Sequence, residues 1–295
     1  MVRPDDSRLD LDELKAVEKR ARLLLNRASA WDRFPTPVDD LLAAANLQVA
    51  PSSIFNPAQL LAYLQHKAEE VKIRIKKALS KILGLYDSND SLIHIDDTVG
   101  KSKQTFLKLH ETGHHELPAH RKAFSLFQDC ETTLSPDIAD LFEREANNFA
   151  RFLLFQGDGY SKLAADHNMG IRVPIDLAKK FGASVYASAR EYARTNHHPC
   201  LVYALEPIEL VPGNGSRALV RRVEASPSFT HQFGLPTDTE INLGHPLWSV
   251  LPIGGRKMTS PRPFQIIDRN GGKHGCLAES FKTPYNILIL LYPTT

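Results

Sequence analysis

Two histidines and a glutamate lie close together in a short stretch in the first half of the chain. His110, Glu111 and His114 form the pattern H-E-x-x-H inside a segment that we predict to be helical. Residues four apart share one face of a helix, so both imidazoles can reach the same cation. Glu111 lies beside them, where its carboxylate can take a proton from metal-bound water. The pattern predicts a hydrolytic metal site, with Zn2+ as the default ion and Mn2+ as an alternative that suits the same donors.

A hydrolytic zinc site needs a third protein ligand and keeps its fourth position for water. The best source is the next predicted helix, in which Glu143, Ala146, Asn147 and Ala150 fall on one stripe. The alanines allow close packing against the first helix, and Asn147 can then hydrogen-bond to a ligand from behind. Glu145 competes for the position, but it lies about 200° further round the helix. The alanine-lined side therefore favours Glu143.

Cys130 lies between the second and the third predicted ligands, in the polar connection from one helix to the other. A thiolate is a better zinc ligand than water, so one hypothesis is that Cys130 occupies the fourth position in a resting state. It would then have to leave before a peptide can be cut. The alternative is an ordinary cysteine packed under the loop, since buried free cysteines are common. We interpret His115 and His120 as solvated neighbours, not as ligands.

The elements that hold these residues follow from the spacing of apolar and capping residues. We predict a strand over 91–96, directly before the metal-site helix, and expect it to be a free edge to which an extended substrate peptide adds. The predicted helices cover residues 10–30, 38–45, 57–85, 101–116 and 136 to about 157.

Two further predicted segments follow residue 156, and the composition changes to short β-rich runs after Pro199. Two short helices over 174–193, with Gly182 at the corner, have a helix-turn-helix outline. They form either a DNA-binding element or a structural bracket between domains. Arg190 is the one base-reading side chain of the second helix, and Arg194 follows just beyond it. From residue 199 onwards, β-rich runs alternate with turns, at 201–205, 218–223, 264–267 and 287–292.

The charge balance limits what the chain can bind. The 295 residues include 36 Lys and Arg against 34 Asp and Glu, a formal net charge of +2, which excludes binding of nucleic acid by gross charge. Lys72, Arg74, Lys76 and Lys77 lie in a basic run, which is either a nucleic-acid contact or a solvated helix face. The few cysteines and the lack of a signal or a long apolar run predict a cytoplasmic protein with no membrane contact.

Two motifs together resemble the ImmA/IrrE family of metallopeptidases. H-E-x-G-H at 110–114 is followed about thirty residues later by E-x-x-A-N-x-F-A at 143–150, and the second motif is the more specific. The resemblance covers residues 35–155 well and 156–195 more loosely. It implies that His110, His114 and Glu143 are metal ligands and that Glu111 is the general base.

The chain departs from the usual pattern of that family at two places. Leu109 stands where Ala is usual before the first histidine, and Leu153–Gln156 stands where Leu-Leu-Met-Pro is usual. Neither change removes a predicted ligand or the base, so the expected chemistry is intact.

The residue patterns and the resemblance together predict an α+β architecture in three parts. A mainly helical, zincin-like metallopeptidase domain with a small sheet covers 1–156, a helix-turn-helix-like linker covers 157–198, and an α/β GAF-like sensor domain covers 199–295. Basic residues between 217 and 262, beginning with Arg217, are a candidate surface for an anionic signal.

The resemblance further implies a zinc-dependent endopeptidase that cleaves a helix-turn-helix transcriptional repressor and thereby releases its target genes. The expected trigger is a stress such as DNA damage or phage infection, with single-stranded DNA as a candidate activator. One alternative is a metal- or DNA-binding transcription regulator in which the H-E-x-x-H site is structural. A second is a peptidase gated by nucleic acid through the basic run or the C-terminal arginines.

Overall fold

A computed structural model describes residues 7–51, 84–87, 91–96, 98–121, 135–211 and 215–294. The chain is a mixed α+β structure with two compact units. One unit comprises Met1–Gly159 with Phe181–Ala183, and the other comprises Tyr160–Lys180 with Ser184–Thr295. Across the described residues, no helix has both the length and the apolar character needed to cross a membrane.

The first unit combines helices with a small three-stranded sheet. Its strands are β1 (Gln48–Val49), β2 (Gly84–Asp87) and β3 (Leu92–Ile95). Its helices are α1 (Leu11–Arg27), α2 (Val38–Ala44), α3 (Lys101–Glu116) and α4 (Pro136–Leu154), and α5 (Gly159–Ala165) begins at the boundary between the units. The observed bounds of α3 confirm the helix predicted over 101–116.

Helix α4 packs against both α1 and α3 and so forms the centre of the helical core. The buried residues of α1 include Val17, Ala21, Leu24 and Leu25, which are the apolar positions spaced three and four apart in the sequence. Each fully buried leucine side chain contributes about 1.5–3 kcal/mol relative to an exposed one. This packing fixes α4, and with it the stripe that carries Glu143.

The strand before α3 is not a free edge, so that expectation is wrong. β3 lies in the middle of its sheet, parallel to β1 on one side and antiparallel to β2 on the other. β2 itself begins at Gly84, inside the segment for which the apolar spacing predicted a helix up to residue 85. Within the described residues, β2 is an outer strand of this sheet, and α3 packs against it.

Gln156 ties the end of α4 to the segment before α2. Its side-chain oxygen accepts a hydrogen bond from the backbone N–H of Asp32 at 2.8 Å, and its side-chain nitrogen donates to the carbonyl of Arg33 at 2.8 Å. The Thr36 hydroxyl donates to the carbonyl of Leu154 at 2.7 Å. The glutamine that departs from the family pattern therefore provides hydrogen bonds that a proline could not make.

The second unit is built on a seven-stranded antiparallel sheet. The order of the strands is β5-β6-β4-β10-β9-β8, and β7 also pairs with β6. The strands are β4 (Leu201–Leu205), β5 (Glu209–Val211), β6 (Gly215–Ala225), β7 (Glu240–Asn242), β8 (Arg262–Ile267), β9 (Lys273–Lys282) and β10 (Ile287–Pro293). The helices are α6 (Arg172–Phe181), whose last residue groups with the first unit, α7 (Val185–Thr195) and α8 (Pro227–Phe233).

The two central strands of this sheet, β4 and β10, are almost entirely buried. Leu201, Leu205, Ile287 and Ile289 share one hydrophobic core with residues of α8 and of the 3-10 helix Pro246–Val250. Helix α7 packs against β4 and β6. A strand that is buried on both faces consists of consecutive apolar residues. For this reason the strands at 201–205 and 287–292 could be predicted from the sequence.

Candidate metal centre

Helix α3 presents both histidines of the H-E-x-x-H pattern from one face. His110 and His114 are buried, as are Glu111, Thr112 and Gly113 between them. Their Nε2 atoms lie 3.2 Å apart, so the two imidazoles point to a common place. Because the two histidines are four residues apart, both imidazoles lie on the same face of α3, as the sequence predicts.

Helix α4 approaches this face closely because small residues lie at the crossing. A Cβ atom on Gly113 would come within 3.2 Å of the Ala146 Cα and 3.3 Å of the Phe149 Cβ. Glycine on one helix and alanine on the other thus allow the two backbones to come together. That approach brings Glu143, one turn before Ala146, to the histidines.

Three donor atoms converge between the two helices. Glu143 Oε2 lies 3.2 Å from His110 Nε2, and Glu143 Oε1 lies 3.6 Å from His114 Nε2. Donor atoms on a tetrahedral zinc, at about 2.0–2.2 Å from the metal, lie roughly 3.3–3.6 Å from one another. The two imidazoles and the carboxylate therefore fit a zinc-sized divalent cation. Within the described part of the chain, no other three His, Cys, Asp or Glu side chains come as close together.

The two histidines and Glu143 shift one another's pKa values. Burial by itself would lower the pKa of His110, but the hydrogen bond with Glu143 and the charges of Glu111 and Glu143 raise it. Burial and the neighbouring His110 hold the pKa of His114 well below its ordinary value. For Glu143, partial removal from water favours the neutral form and would raise its pKa, but the hydrogen bond from His110 and the charges of the histidines outweigh this and lower the pKa to about 2. A carboxylate and a neutral imidazole are the states that bind metal.

Asn147 contacts the first histidine from behind. Its side-chain oxygen lies 3.1 Å from His110 Nδ1, so this ring nitrogen donates to it. The Nε2 atom of a neutral His110 is then the one with the free lone pair, and it is the atom that faces Glu143. This is the position that the stripe of α4 suggested for Asn147.

His120 is buried, so its interpretation as a solvated neighbour is wrong. The residue follows α3 in a short helical turn at 118–121, is 0% exposed, and places its Nδ1 atom 3.1 Å from His114 Nδ1. Its Nε2 atom lies 2.6 Å from Glu145 Oε2. The sequence indicated that Glu145 points away from Glu143, but it contained no signal that His120 would lie beside it.

Five of the other predicted site residues lie in segments that the structure does not describe. Cys130 lies outside the described residues, as do Lys72, Arg74, Lys76 and Lys77, so the hypotheses about them stay predictions. Two other cysteines of the chain, Cys200 and Cys276, are buried free thiols.

Arg190 is not available to read DNA. It is largely buried, and its Nε donates to Glu224 Oε2 at 2.8 Å. Arg194 Nη2 donates to the same oxygen at 2.8 Å. Both arginines of α7 therefore pair with Glu224 of strand β6 in the seven-stranded sheet.

Arg217 is one of the basic residues proposed as a surface for an anionic signal. It is paired with Glu209 and Glu240.

The comparison with known families agrees with these features. Residues 67–191 match the family model described as the IrrE N-terminal-like domain, Peptidase_M78. No curated protein matches the chain. One solved structure, a Mycobacterium tuberculosis transcriptional regulator, is similar over 94% of this chain and 75% of its own, at 12% sequence identity and a TM-score of 0.48.

A helix carrying H-E-x-x-H packs through glycine and alanine on a second helix that brings a glutamate to both histidines, and such a set of donors is the one expected of a metallopeptidase domain. The match over 67–191 identifies this part of the chain as similar to an IrrE N-terminal-like domain, which agrees with the resemblance of its two motifs to the ImmA/IrrE family.

Proposed function

We propose that the protein is a metal-dependent endopeptidase in which His110, His114 and Glu143 bind the metal and Glu111 is the general base. The observation that carries this proposal is the convergence of the two Nε2 atoms and the Glu143 carboxylate at 3.2–3.6 Å. Zn2+ is the expected ion, and Mn2+ suits the same donors. Glu143 keeps 57% of its side chain exposed, so solvent reaches the carboxylate side of the centre.

The chain supplies the acid–base chemistry of peptide hydrolysis through Glu111. A divalent cation bound at this centre lowers the pKa of water to about 7 and polarises a carbonyl group. Glu111 takes a proton from the attacking water as the new C–O bond forms at the scissile carbonyl carbon. When the C–N bond breaks, Glu111 delivers that proton to the leaving amine. The charge of Glu111 raises the pKa of His110, which supports a position of this carboxylate close to the centre.

The outer edge of β2 is the better place for an extended substrate, because β3 is paired on both sides. β2 packs beside α3, so a peptide added along it would run past the metal-site helix. Addition of a strand to a sheet edge holds a peptide extended through main-chain hydrogen bonds.

The substrate we propose is a helix-turn-helix transcriptional repressor, cut at one site so that its target genes are released. This follows the resemblance of the two motifs to the ImmA/IrrE family, with which the match of residues 67–191 agrees. We assign the signal input to residues 199–295, as a GAF-like sensor of stress, and keep single-stranded DNA as the candidate activator. Docking of a partner on a second unit gives a regulatory protease more specificity than one pocket can provide.

A cleavage assay with matched variants tests this function. The full-length protein is incubated with the helix-turn-helix repressor encoded beside it, with Zn2+ or Mn2+, and with or without single-stranded DNA. We expect one specific cut by the wild type. Glu111→Gln should bind metal normally and lose cleavage, since it keeps the ligands but cannot accept a proton. His114→Ala should lose both properties.

Cleavage by Glu111→Gln at the wild-type rate would contradict the proposal. The rival function, a transcription regulator with a structural H-E-x-x-H site, predicts sequence-specific duplex binding that Glu111→Gln leaves unchanged. The burial of Arg190 and its pairing with Glu224 speak against α7 as a DNA-reading helix.

A further inference from the structure

Behind His114, on the side away from the metal centre, lies a chain of polar contacts that the proposed reaction does not use. His114 Nδ1 lies 3.1 Å from His120 Nδ1, and His120 Nε2 lies 2.6 Å from Glu145 Oε2. The chain of contacts thus runs from a carboxylate on α4 through one imidazole to a second imidazole on α3.

The chemistry of these groups determines where each proton lies. A carboxylate only accepts hydrogen bonds, so His120 Nε2 carries a hydrogen and donates it to Glu145. In neutral His120 the Nδ1 atom then has a lone pair, and the donor that the described residues place against it is His114 Nδ1, 3.1 Å away. Neutral His114 therefore has no hydrogen on Nε2, the atom that lies 3.6 Å from Glu143 Oε1.

Packing holds His120 in this orientation. The side chain is 0% exposed, and its ring stacks on Phe142 with centroids 4.0 Å apart and planes 22° from parallel. Glu145 is also largely buried, with 19% of its side chain exposed. A short hydrogen bond to an ionised acceptor in such surroundings is stronger than one between neutral groups.

We propose that His120 and Glu145 are positioning residues that hold His114 in the tautomer and ring orientation required for metal binding. Histidine ligands commonly donate their other ring nitrogen to an acceptor in this way. Here the acceptor is a second histidine, which a carboxylate orients in turn. The inference rests on the proposed metal centre and adds two residues that do not touch the metal.

Zinc affinity and the spectrum of the cobalt-substituted protein test this inference. His120→Phe keeps a ring that can stack on Phe142 but removes both nitrogens, and we expect roughly a 10- to 100-fold loss of zinc affinity, measured by competition with a chelator. His120→Asn places an acceptor oxygen near the Nδ1 position and should recover part of that affinity. Glu145→Gln keeps an acceptor without the charge, and we expect a loss of about three- to tenfold.

His115→Gln is the matched control, because it removes a neighbouring imidazole of α3 that is not part of the donor cluster. It should bind zinc like the wild type. The visible spectrum of bound Co2+ should change in His120→Phe and not in His115→Gln, since it reports on the geometry of the ligands.

The outcomes separate this inference from the proposed function. Failure of the wild type to bind zinc or manganese would overturn both. If the wild type binds zinc and His120→Phe binds it within twofold, with the same cobalt spectrum, the metal centre stands and the positioning inference is overturned. Should His120→Phe fail to fold, Glu145→Gln decides alone, and an unchanged affinity in that variant overturns the inference.

Discussion

At the scale of single residues, the candidate centre depends on what lies behind each histidine. Asn147 contacts His110 Nδ1, and His120 contacts His114 Nδ1, each at 3.1 Å. Both contacts leave Nε2 as the nitrogen that faces Glu143. A metal ligand needs a free lone pair in a fixed direction, so these neighbours matter as much as the ligand types themselves.

Replacing Asn147 tests whether the partner of Nδ1 fixes the ligand nitrogen of His110. Asn147→Leu keeps a similar volume but removes the acceptor for His110 Nδ1, so the ring can take the wrong tautomer. We expect zinc affinity to fall roughly tenfold while the protein stays folded. Competition with a chelator would measure the zinc affinity, and circular dichroism would show whether the protein is folded. An unchanged affinity would show that Asn147 has no effect on His110.

At the scale of elements, the distance between α3 and α4 decides whether three donors become one site. Gly113 and Ala146 lie at the crossing, and a Cβ on Gly113 already comes within 3.2 Å of the Ala146 backbone. A larger side chain there must push the helices apart. Glu143 would then move away from both histidines.

We therefore expect Gly113→Val to destabilise the protein by about 1–3 kcal/mol or more and to weaken zinc binding. Gly100→Val is the control, because it adds the same side chain near the start of α3, where a Cβ meets nothing within 4 Å. Denaturant unfolding and zinc titration measure the two effects. Equal effects of the two variants would show that the helix crossing is not tight.

The pairing of α7 with β6 predicts a pH dependence. Burial alone would raise the pKa of Glu224, but the charges of Arg194 and Arg190 lower it below its ordinary value. The unfolded chain takes up this proton near pH 4.3, and the folded chain only at lower pH. The unfolded state thus binds more protons in that interval, and the free energy of unfolding falls as the pH drops below about 4.5.

Glu224→Gln should remove this contribution of Glu224 and lower the stability at neutral pH by about 2–3 kcal/mol, because two arginines lose a shared carboxylate. Glu240→Gln, which removes a partly exposed partner of Arg217, should have little effect. Unfolding curves at several pH values would measure both. A Glu224→Gln protein as stable as the wild type would contradict the assignment of α7 as a structural helix.

At the scale of the whole molecule, a net charge of +2 gives little general attraction for nucleic acid. Any response to single-stranded DNA must therefore come from a local patch, and the basic run with Lys72, Arg74, Lys76 and Lys77 is the candidate. Cleavage that rises with added DNA should lose this stimulation with increasing salt.

Replacing these four residues by glutamine tests the patch in the full-length protein. We expect DNA stimulation to disappear, and the slope of log affinity against log salt to decrease by about 0.7 for each phosphate that the variant no longer neutralises. Cleavage without DNA should be unchanged, which separates activation from catalysis. Stimulation equal to that of the wild type would exclude this patch as the DNA sensor.

Features that belong to a single helix or strand could be predicted from the amino-acid sequence. Apolar spacing and capping residues predicted α3 at 101–116 and β4 at 201–205, and the spacing of His110, Glu111 and His114 placed two imidazoles on one helix face. The alanine stripe also favoured Glu143, which lies with both histidines. Such patterns are readable because each depends on one element and its own periodicity.

Contacts between residues of different elements became known only from the folded chain. In the folded chain β3 is paired on both sides, His120 is buried between His114 and Glu145, and Arg190 donates a hydrogen bond to Glu224. Periodicity shows that a face is buried but not what covers it. A polar side chain that looks solvated in the sequence becomes buried when another element brings it a partner, because the hydrogen bond offsets the cost of desolvation.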